Sequence, residues 1–431
     1  MGLKRLFLIL LSIYIFLTGL VWAVVVPYNE APDEYTHFDV ANFMVQNRRL
    51  PIFGQDENMG VSKFEIPGVT LKYNASYSAM PPLAYLWQAT FISLGKGNQA
   101  YLFARLADII LGIASAWVAF KLSKSLFKSF SLRAAFTVVG TITPQVLFSF
   151  VYVNSDAVLL LFSFIIWYWL VRLWTKTVNI HEALGFGLSL GLAALTRYNI
   201  VPLIILVIVA FLITIIKSLV KKQISLKKGL SIILTTFFTA LISGGWWYLR
   251  NLVLYRDLLA TEAFWQTYHQ IYPFNDRLNG WQILTKTDWL WRNWQSLWGV
   301  FGWNTILMPD LIYKILLGFG ALAIIFLLAF RANLNYQEKR VVFFSVLLLV
   351  SLVALSLWQS QTYGFQPQGR YLFPAWPGLV YLLIKGWQQT LPLKINHLKI
   401  INKKIFSFGL MIIWLYFDLY VLINFLIPSY Y

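Results

Sequence analysis

The sequence predicts an all-α polytopic membrane protein with about eleven transmembrane helices, its N-terminus inside and its C-terminus outside. Three observations carry that reading. Of the 431 residues, 59% are hydrophobic and 18% aromatic against 12% charged, outside the range of soluble globular chains. The apolar residues fall into runs close to the ~20 residues that cross a bilayer core. The net charge of +18 gathers between those runs and forms no basic amphipathic patch, so it reads as topology and argues against a nucleic-acid partner. Cysteine is absent, which excludes disulfides, thiolate metal sites and cysteine nucleophiles.

The first run, residues 6–26, follows Lys4 and Arg5. A secretory signal has an apolar core of roughly 7–15 residues, so this longer run reads as a retained anchor. Residues 28–80 are too charged and too rich in proline and glycine for the membrane interior and form a first outer loop. Pro32 suits the first position of a helix, with Asp33 and Glu34 in its first turn, where the helix dipole favours negative charge, and a short surface helix is expected through Met44. Residues 81–94 are apolar but short and read as a re-entrant or interfacial helix.

Ten further spans are expected at 98–120, 134–153, 155–174, 183–198, 200–216, 229–247, 311–330, 341–358, 371–384 and 405–427. Residues 183–216 form one run of 34, ~50 Å of helix and too long for a single crossing, so the Thr196-Arg197-Tyr198-Asn199 interruption is expected to be an outer hairpin. The proposed inner segments hold 21 of the 35 basic residues, and the outer half holds 15 of the 17 acids. That asymmetry sets the orientation and puts Asp33 and Glu34 outside. The whole chain, 1–431, is expected to be one integral membrane domain with two large outer segments. One is 28–96. The other is 251–310, rich in tryptophan: Trp265, Trp281, Trp289, Trp291, Trp294, Trp298 and Trp303 are read as an interfacial belt or as faces that stack on sugar rings.

The chemistry-bearing residues concentrate on the outer side. Consecutive helical residues point ~100° apart, so Asp33 and Glu34 cannot both address one atom. One suits a general base and the other a capping, orienting or metal-binding role, with Glu30 and Asp39 adding negative charge nearby. His37 follows one turn later, giving Glu-x-x-His without the second motif of a di-iron bundle or the second histidine of a metalloprotease. The residues single out no cofactor and leave metal dependence open; a divalent cation, if one is used, has Asp33, Glu34 and Asp156 as candidate ligands. Arg105 and Asp108, three residues apart, are expected to pair. Asp156 reads as the N-cap of its span. Arg197, Arg250 and Arg370 lie at outer span ends, where arginine forks suit phosphate oxygens. Asp418 lies within the last span and must face protein or a cavity. Asn74-Ala75-Ser76 has the N-glycosylation acceptor pattern.

Taken together the motifs resemble the GT-C superfamily of membrane glycosyltransferases, close to the protein O-mannosyltransferases and lipid A aminoarabinose transferases and particularly their prokaryotic relatives. The matching pieces are Pro32-Asp33-Glu34-x-x-His37-Phe38, Pro81-Pro82-Leu83-Ala84-Tyr85, Ala104-Arg105-Leu106, Asn154-Ser155-Asp156, Arg250-Asn251-Leu252, the 296–302 segment, and Gln368-Gly369-Arg370-Tyr371-Leu372-Phe373-Pro374. The resemblance implies a polyprenyl-phosphate-linked sugar donor, an acceptor hydroxyl on lipid, glycan or protein, and inversion at the anomeric carbon on the outer face of a prokaryotic cell membrane. It implies Asp33 as the catalytic base with Glu34 beside it. It implies His37, Arg105, Asp156, Arg197, Arg250, Arg370 and Tyr371 as substrate-binding residues. One position departs from the family, since Met80 stands where its members usually carry Lys or His before Pro-Pro-Leu. The competing readings are a transporter or flippase of lipid-linked glycans and an inactive assembly subunit; charges gathered at span ends rather than at the midplane disfavour the transporter.

Overall fold

A computed structural model of the chain describes residues 2–56, 77–95, 97–175, 178–262, 264–266, 278–390, 394–395, 398–399 and 403–431. The Asn74-Ala75-Ser76 pattern lies outside them, as do parts of both large outer segments. Helices dominate, in the order α1 (Leu3–Val25), α2 (Glu34–Asn47), α3 (Leu83–Ile92), α4 (Ala100–Leu126), α5 (Phe130–Ile142), α6 (Pro144–Phe148), α7 (Asp156–Leu173), α8 (Ile180–Ala194), α9 (Val201–Val220), α10 (Leu226–Ala240), α11 (Trp246–Tyr255), α12 (Gly280–Lys286), α13 (Trp289–Trp298), α14 (Asp310–Ala329), α15 (Tyr336–Thr362), α16 (Trp376–Thr390) and α17 (Lys403–Val421). Strand pairing among the described residues is limited to two antiparallel pairs, Val300–Phe301 with Ile306–Leu307 and Lys394–Ile395 with Leu398–Lys399.

Each of the eleven expected spans corresponds to a helix. Eight are long and apolar enough to cross a membrane, counting α10 and α11 as one unit, Leu226–Tyr255. The shorter α5, α8 and α16 complete the set. One boundary differs instructively. The run 134–153 is predominantly apolar, yet helix α5 stops at Ile142 because Pro144 follows Thr143 and restarts the chain as the short α6. The hairpin at Arg197 forms as expected, with Leu195 to Arg197 separating α8 from the turn that opens α9, where Pro202 sits in the first helical turn. Where α8 and α15 begin, Asn179 with Glu182 and Asn335 with Glu338 form reciprocal capping boxes.

Helix α7 is the most enclosed of the long spans, 72% of its residues being buried. Around it the indole N–H groups find backbone carbonyls: Trp167 donates to Pro374 O at 2.9 Å and Trp376 to Gly140 O at 2.8 Å. The outer helices present Leu10, Leu17, Ile205, Ile216, Phe237, Ile242 and Ile325 on their exposed faces, a surface suited to hydrocarbon rather than water. Helices α8 and α10 meet through Gly187 and Gly191, where an added Cβ would fall 2.4 Å from Thr236 O and 2.5 Å from Ala240 O. Small residues four apart let the two backbones touch. Asp418, on α17, is fully buried and accepts the Tyr14 hydroxyl of α1 at 2.9 Å, so the intramembrane carboxylate faces protein.

Candidate active site

The chain leaves α1 through Pro27 and reaches α2 by way of two left-handed residues, Asn29 (φ 68°) and Asp33 (φ 61°). Asp33 therefore sits outside the helix as its N-cap residue rather than within its first turn, and its carbonyl accepts the His37 amide at 3.0 Å. Its carboxylate makes no capping bond. Aspartate tolerates this backbone region because its short polar side chain avoids most of the steric penalty. The conformation aims the carboxylate away from the helix, where Asp33 Oδ2 lies 3.6 Å from Arg370 Nη2 with about one-third of the side chain exposed (32%).

Glu34, the next residue, turns inward and is fully buried. It holds Arg105 in a two-point fork, Nε to Oε1 and Nη2 to Oε2 both at 2.6 Å. The amides of Asn29 and Val153 also donate to it, at 3.0 and 3.1 Å. The guanidinium of Arg105 gives its other N–H groups to the carbonyls of Ala23, Val26 and Pro27. The expected Arg105–Asp108 pairing does not form. Asp108 instead accepts Gln88 Nε2 at 2.9 and 3.2 Å and the Asn154 amide at 3.4 Å. Tertiary burial outweighs the weak local pairing of neighbours on a helix, because a buried fork with two additional amide donors is a far stronger arrangement.

Asp156 was expected to cap α7, but Ser155 is the cap residue and the capping bonds come from Asn154, whose Oδ1 accepts the amides of Asp156 (2.6 Å) and Ala157 (3.1 Å). That releases the Asp156 carboxylate. One oxygen pairs with Arg197 and the other lies 3.6 Å from Arg370 Nη1. Arg197 comes from the α8–α9 hairpin and Arg370 from the 3-10 turn Gly369–Ala375. Gly369 permits the second approach: a Cβ there would sit 2.3 Å from the Leu297 amide nitrogen, and the Gly369 amide donates to Ser296 Oγ at 2.5 Å. Arg370 also donates to the Tyr152 hydroxyl at 3.2 Å and to Gln368 Oε1. The surrounding phenols and carboxylates hold its pKa well above the ordinary value against the opposing effect of burial. Tyr371 lies in the same group, its ring 5.5 Å from the Arg197 guanidinium and its hydroxyl donating to Gln366 Oε1 at 2.7 Å.

His37 closes one wall. Its ring stacks on Tyr77 at 4.5 Å, and Nδ1 is 2.9 Å from the Tyr85 hydroxyl. Burial first, then the positive charge of Arg197 and Arg370, pushes its pKa well below 6.5, so it is a neutral group at working pH. Arg250 stands apart from the cluster, donating to Pro51 O at 2.5 Å with its guanidinium over Trp247. Met80 packs with Tyr77 against the apolar cluster of Phe53, Ala79, Ala260 and Phe264. Among the tryptophans, Trp289 and Trp298 are fully buried, so they belong to the core rather than to a belt or a sugar platform. Trp303 ties the two outer segments together by donating to Asn29 O at 2.8 Å.

Four of the expected residues therefore converge, Asp33, Asp156, Arg197 and Arg370, with Tyr371 and His37 around them. Tyr77, Tyr85 and Tyr152 join them without having been singled out for this role; Tyr85 lies in the Pro-Pro-Leu-Ala-Tyr motif. Among the described residues no group of three or more His, Asp or Glu side chains converges to hold a metal ion. The chemistry of the cluster points the same way, since Glu34 is fully engaged by Arg105 and amides, while Asp33 and Asp156 both face Arg370. Two guanidiniums thus stand between two carboxylates, and guanidinium forks are the side-chain donors that suit phosphate oxygens.

Residues 79–243 match the family model described as dolichyl-phosphate-mannose-protein mannosyltransferase. No curated protein sequence matches the chain. Two solved structures are similar over nearly its whole length. Against ArnT from Cupriavidus metallidurans in the apo state the identity is 13% and the TM-score 0.51, covering 97% of this chain and 73% of that one. Against the same protein bound to undecaprenyl phosphate the values are 14% and 0.50, covering 98% and 73%.

Proposed function

Proceeding from a chain with the polytopic all-α fold of GT-C membrane glycosyltransferases, we propose that it is an inverting glycosyltransferase. In this reading it moves a sugar from a polyprenyl-phosphate donor to an acceptor hydroxyl at the outer face of a prokaryotic cell membrane. The observation that carries it is the Asp33–Arg370 pairing: a carboxylate open to solvent on one side and 3.6 Å from a buried guanidinium on the other. The acceptor oxygen forms its bond to the anomeric carbon while its proton passes to Asp33. The bond from that carbon to the phosphate oxygen breaks, and the electron pair leaves on the lipid phosphate. Arg370, with Arg197 beside it, meets that charge in a site where donors are already in place.

Glu34 and Arg105 act here as a brace that fixes the start of α2 against α4. Asp156 holds the two arginines near each other, and Tyr371 supports Arg197. The matched family's description and the undecaprenyl phosphate bound in ArnT both support a donor on a lipid phosphate. The basic residues at the opposite helix ends support an outer-face site. The acceptor is a lipid, a glycan or a protein hydroxyl.

The test is reconstitution of the full chain with a polyprenyl-phosphate sugar and a panel of acceptors. Asp33→Asn is expected to lower transfer by ~10²–10⁴, the usual contribution of a general base, with donor binding and melting unchanged. Transfer at the wild-type rate would remove Asp33 from the mechanism. Movement of labelled lipid-linked glycan across vesicles without new glycosidic bonds would identify a transporter instead.

A further inference from the structure

At the other end of the bundle a cavity of ≈ 480 Å³ opens among the ends of α4, α5, α7, α15 and α16. The 18 residues of α7 separate it from the arginine cluster, ~27 Å at 1.5 Å per residue. Its described lining carries Lys124, Lys128, Arg133 and Lys385, with Glu338 as the single carboxylate. Lys385 is almost fully buried and pairs with Glu338, which leaves Lys128, Arg133 and Lys124, the last with its ammonium 5.4 Å from the Phe120 ring centre, without an acid among the described lining. Arg133 gives Nε to Phe127 O at 2.7 Å and keeps the rest of its fork for another partner.

Two buried polar atoms on the same wall have no hydrogen-bond partner: the Tyr381 hydroxyl, on a residue 1% exposed, and Gln388 Oε1. Buried polar atoms are satisfied in native proteins, so an orphaned hydroxyl beside unneutralised cations marks a place that a ligand or water completes. Helix α5 also starts at this wall with Ser129 as its cap, adding the positive end of its dipole. The cavity is far larger than a bare anion and has room for a substituted phosphate.

We propose that this cavity binds a phosphate group, held by Arg133, Lys128 and Lys124 and capped by the Tyr381 hydroxyl. The phosphate comes either from the headgroup of an anionic phospholipid or from soluble inorganic phosphate. The inference stands apart from the transfer reaction and its residues.

Native mass spectrometry of the purified full chain tests it, with phosphatidylglycerol and phosphatidylcholine as lipid probes and inorganic phosphate as competitor. Wild type is expected to retain phosphatidylglycerol over phosphatidylcholine, or to bind inorganic phosphate. The Lys128→Gln/Arg133→Gln variant is expected to weaken that binding at least ~10-fold, as loss of a charge-assisted contact implies. Tyr381→Phe, which keeps the ring, is expected to weaken it severalfold. Lys121→Gln serves as the control, because Lys121 lies over the Tyr168 ring and does not line the cavity. Displacement of the lipid by inorganic phosphate identifies the free anion as a ligand, and retention against it identifies the headgroup. Equal retention of both lipids with no phosphate binding overturns the proposal. So does a loss in Lys121→Gln as large as in the double variant, which would show diffuse surface attraction only.

Discussion

Replacing Arg105 by methionine separates two roles for that residue, a brace inside the fold and a contact to the donor phosphate. In the structure both its ends are closed: a two-point fork to Glu34 at 2.6 Å, and N–H groups on the carbonyls of Ala23, Val26 and Pro27. Arg105→Met leaves the Glu34 carboxylate buried with only the Asn29 and Val153 amides for company, and takes the Arg105 N–H groups from the carbonyls of Ala23, Val26 and Pro27, of which Pro27 O keeps the Glu30 amide at 3.2 Å. Breaking a buried ion pair from one side costs about 3–5 kcal/mol. That is a large part of the ~5–15 kcal/mol that separates folded from unfolded states. Glu34→Met should cost a similar amount, since it strands the guanidinium. The double variant Glu34→Met/Arg105→Met leaves no charge behind, so its cost should fall below the sum of the singles by about 2–3 kcal/mol. Equilibrium unfolding of all four proteins in mild detergent measures the cycle. If Arg105→Met stays within ~0.5 kcal/mol of wild type and the double variant is additive, the brace is refuted. Loss of transfer in such a stable variant would assign Arg105 to the substrate.

Two more outcomes follow from the site. Gly369→Ala places a Cβ 2.3 Å from the Leu297 nitrogen and 2.6 Å from Asn293 O, so the turn must back away and carry Arg370 with it. A shift of about 1 Å should lower transfer ~10²-fold, and because the clash is with backbone the melting temperature should fall as well; unchanged transfer would show that the turn's position is immaterial. His37 gives a pH dependence of stability. Its folded pKa lies well below 6.5 while the unfolded chain has the ordinary value, so the unfolded state binds the extra proton. The stabilisation is present above pH ~6.5 and falls by up to ~1.4 kcal/mol per unit below it. Unfolding free energies from pH 7 to 5 should show this slope in wild type and lose it in His37→Gln, and identical slopes would refute it.

The architecture was legible because each long helix is an apolar run and the basic residues gather in the turns at one end of those runs. Only Pro144 cut a run that composition presents as continuous, and a proline after a threonine was the available signal. Within the site, the separation of Asp33 from Glu34 was anticipated but for an incomplete reason. Helical geometry sets neighbours ~100° apart, whereas here Asp33 leaves the helix altogether through a left-handed backbone. The pairing of Glu34 with Arg105 spans 71 positions, and nothing local announces it. The same distance in sequence hid which arginines converge, since Arg197, Arg250 and Arg370 look alike at outer helix ends. Gln88 was the overlooked clue: an amide in the middle of apolar α3 needs a buried partner, and it finds Asp108 and the Asn154 carbonyl.

The Tyr14–Asp418 bond bears on how the bundle assembles in time. Tyr14 belongs to α1 and Asp418 to α17, 404 positions later. At ~5–20 residues per second, synthesis of the intervening chain occupies about 20–80 s. Until α17 arrives, Tyr14 lacks its carboxylate partner, and over the shorter separation of 271 positions Thr143 Oγ1 lacks the Trp414 indole N–H that it accepts at 2.8 Å. Helix α17 is thus the closing stave of the barrel of helices. A lesion in it removes the carboxylate that accepts the Tyr14 hydroxyl and the indole that donates to Thr143 Oγ1.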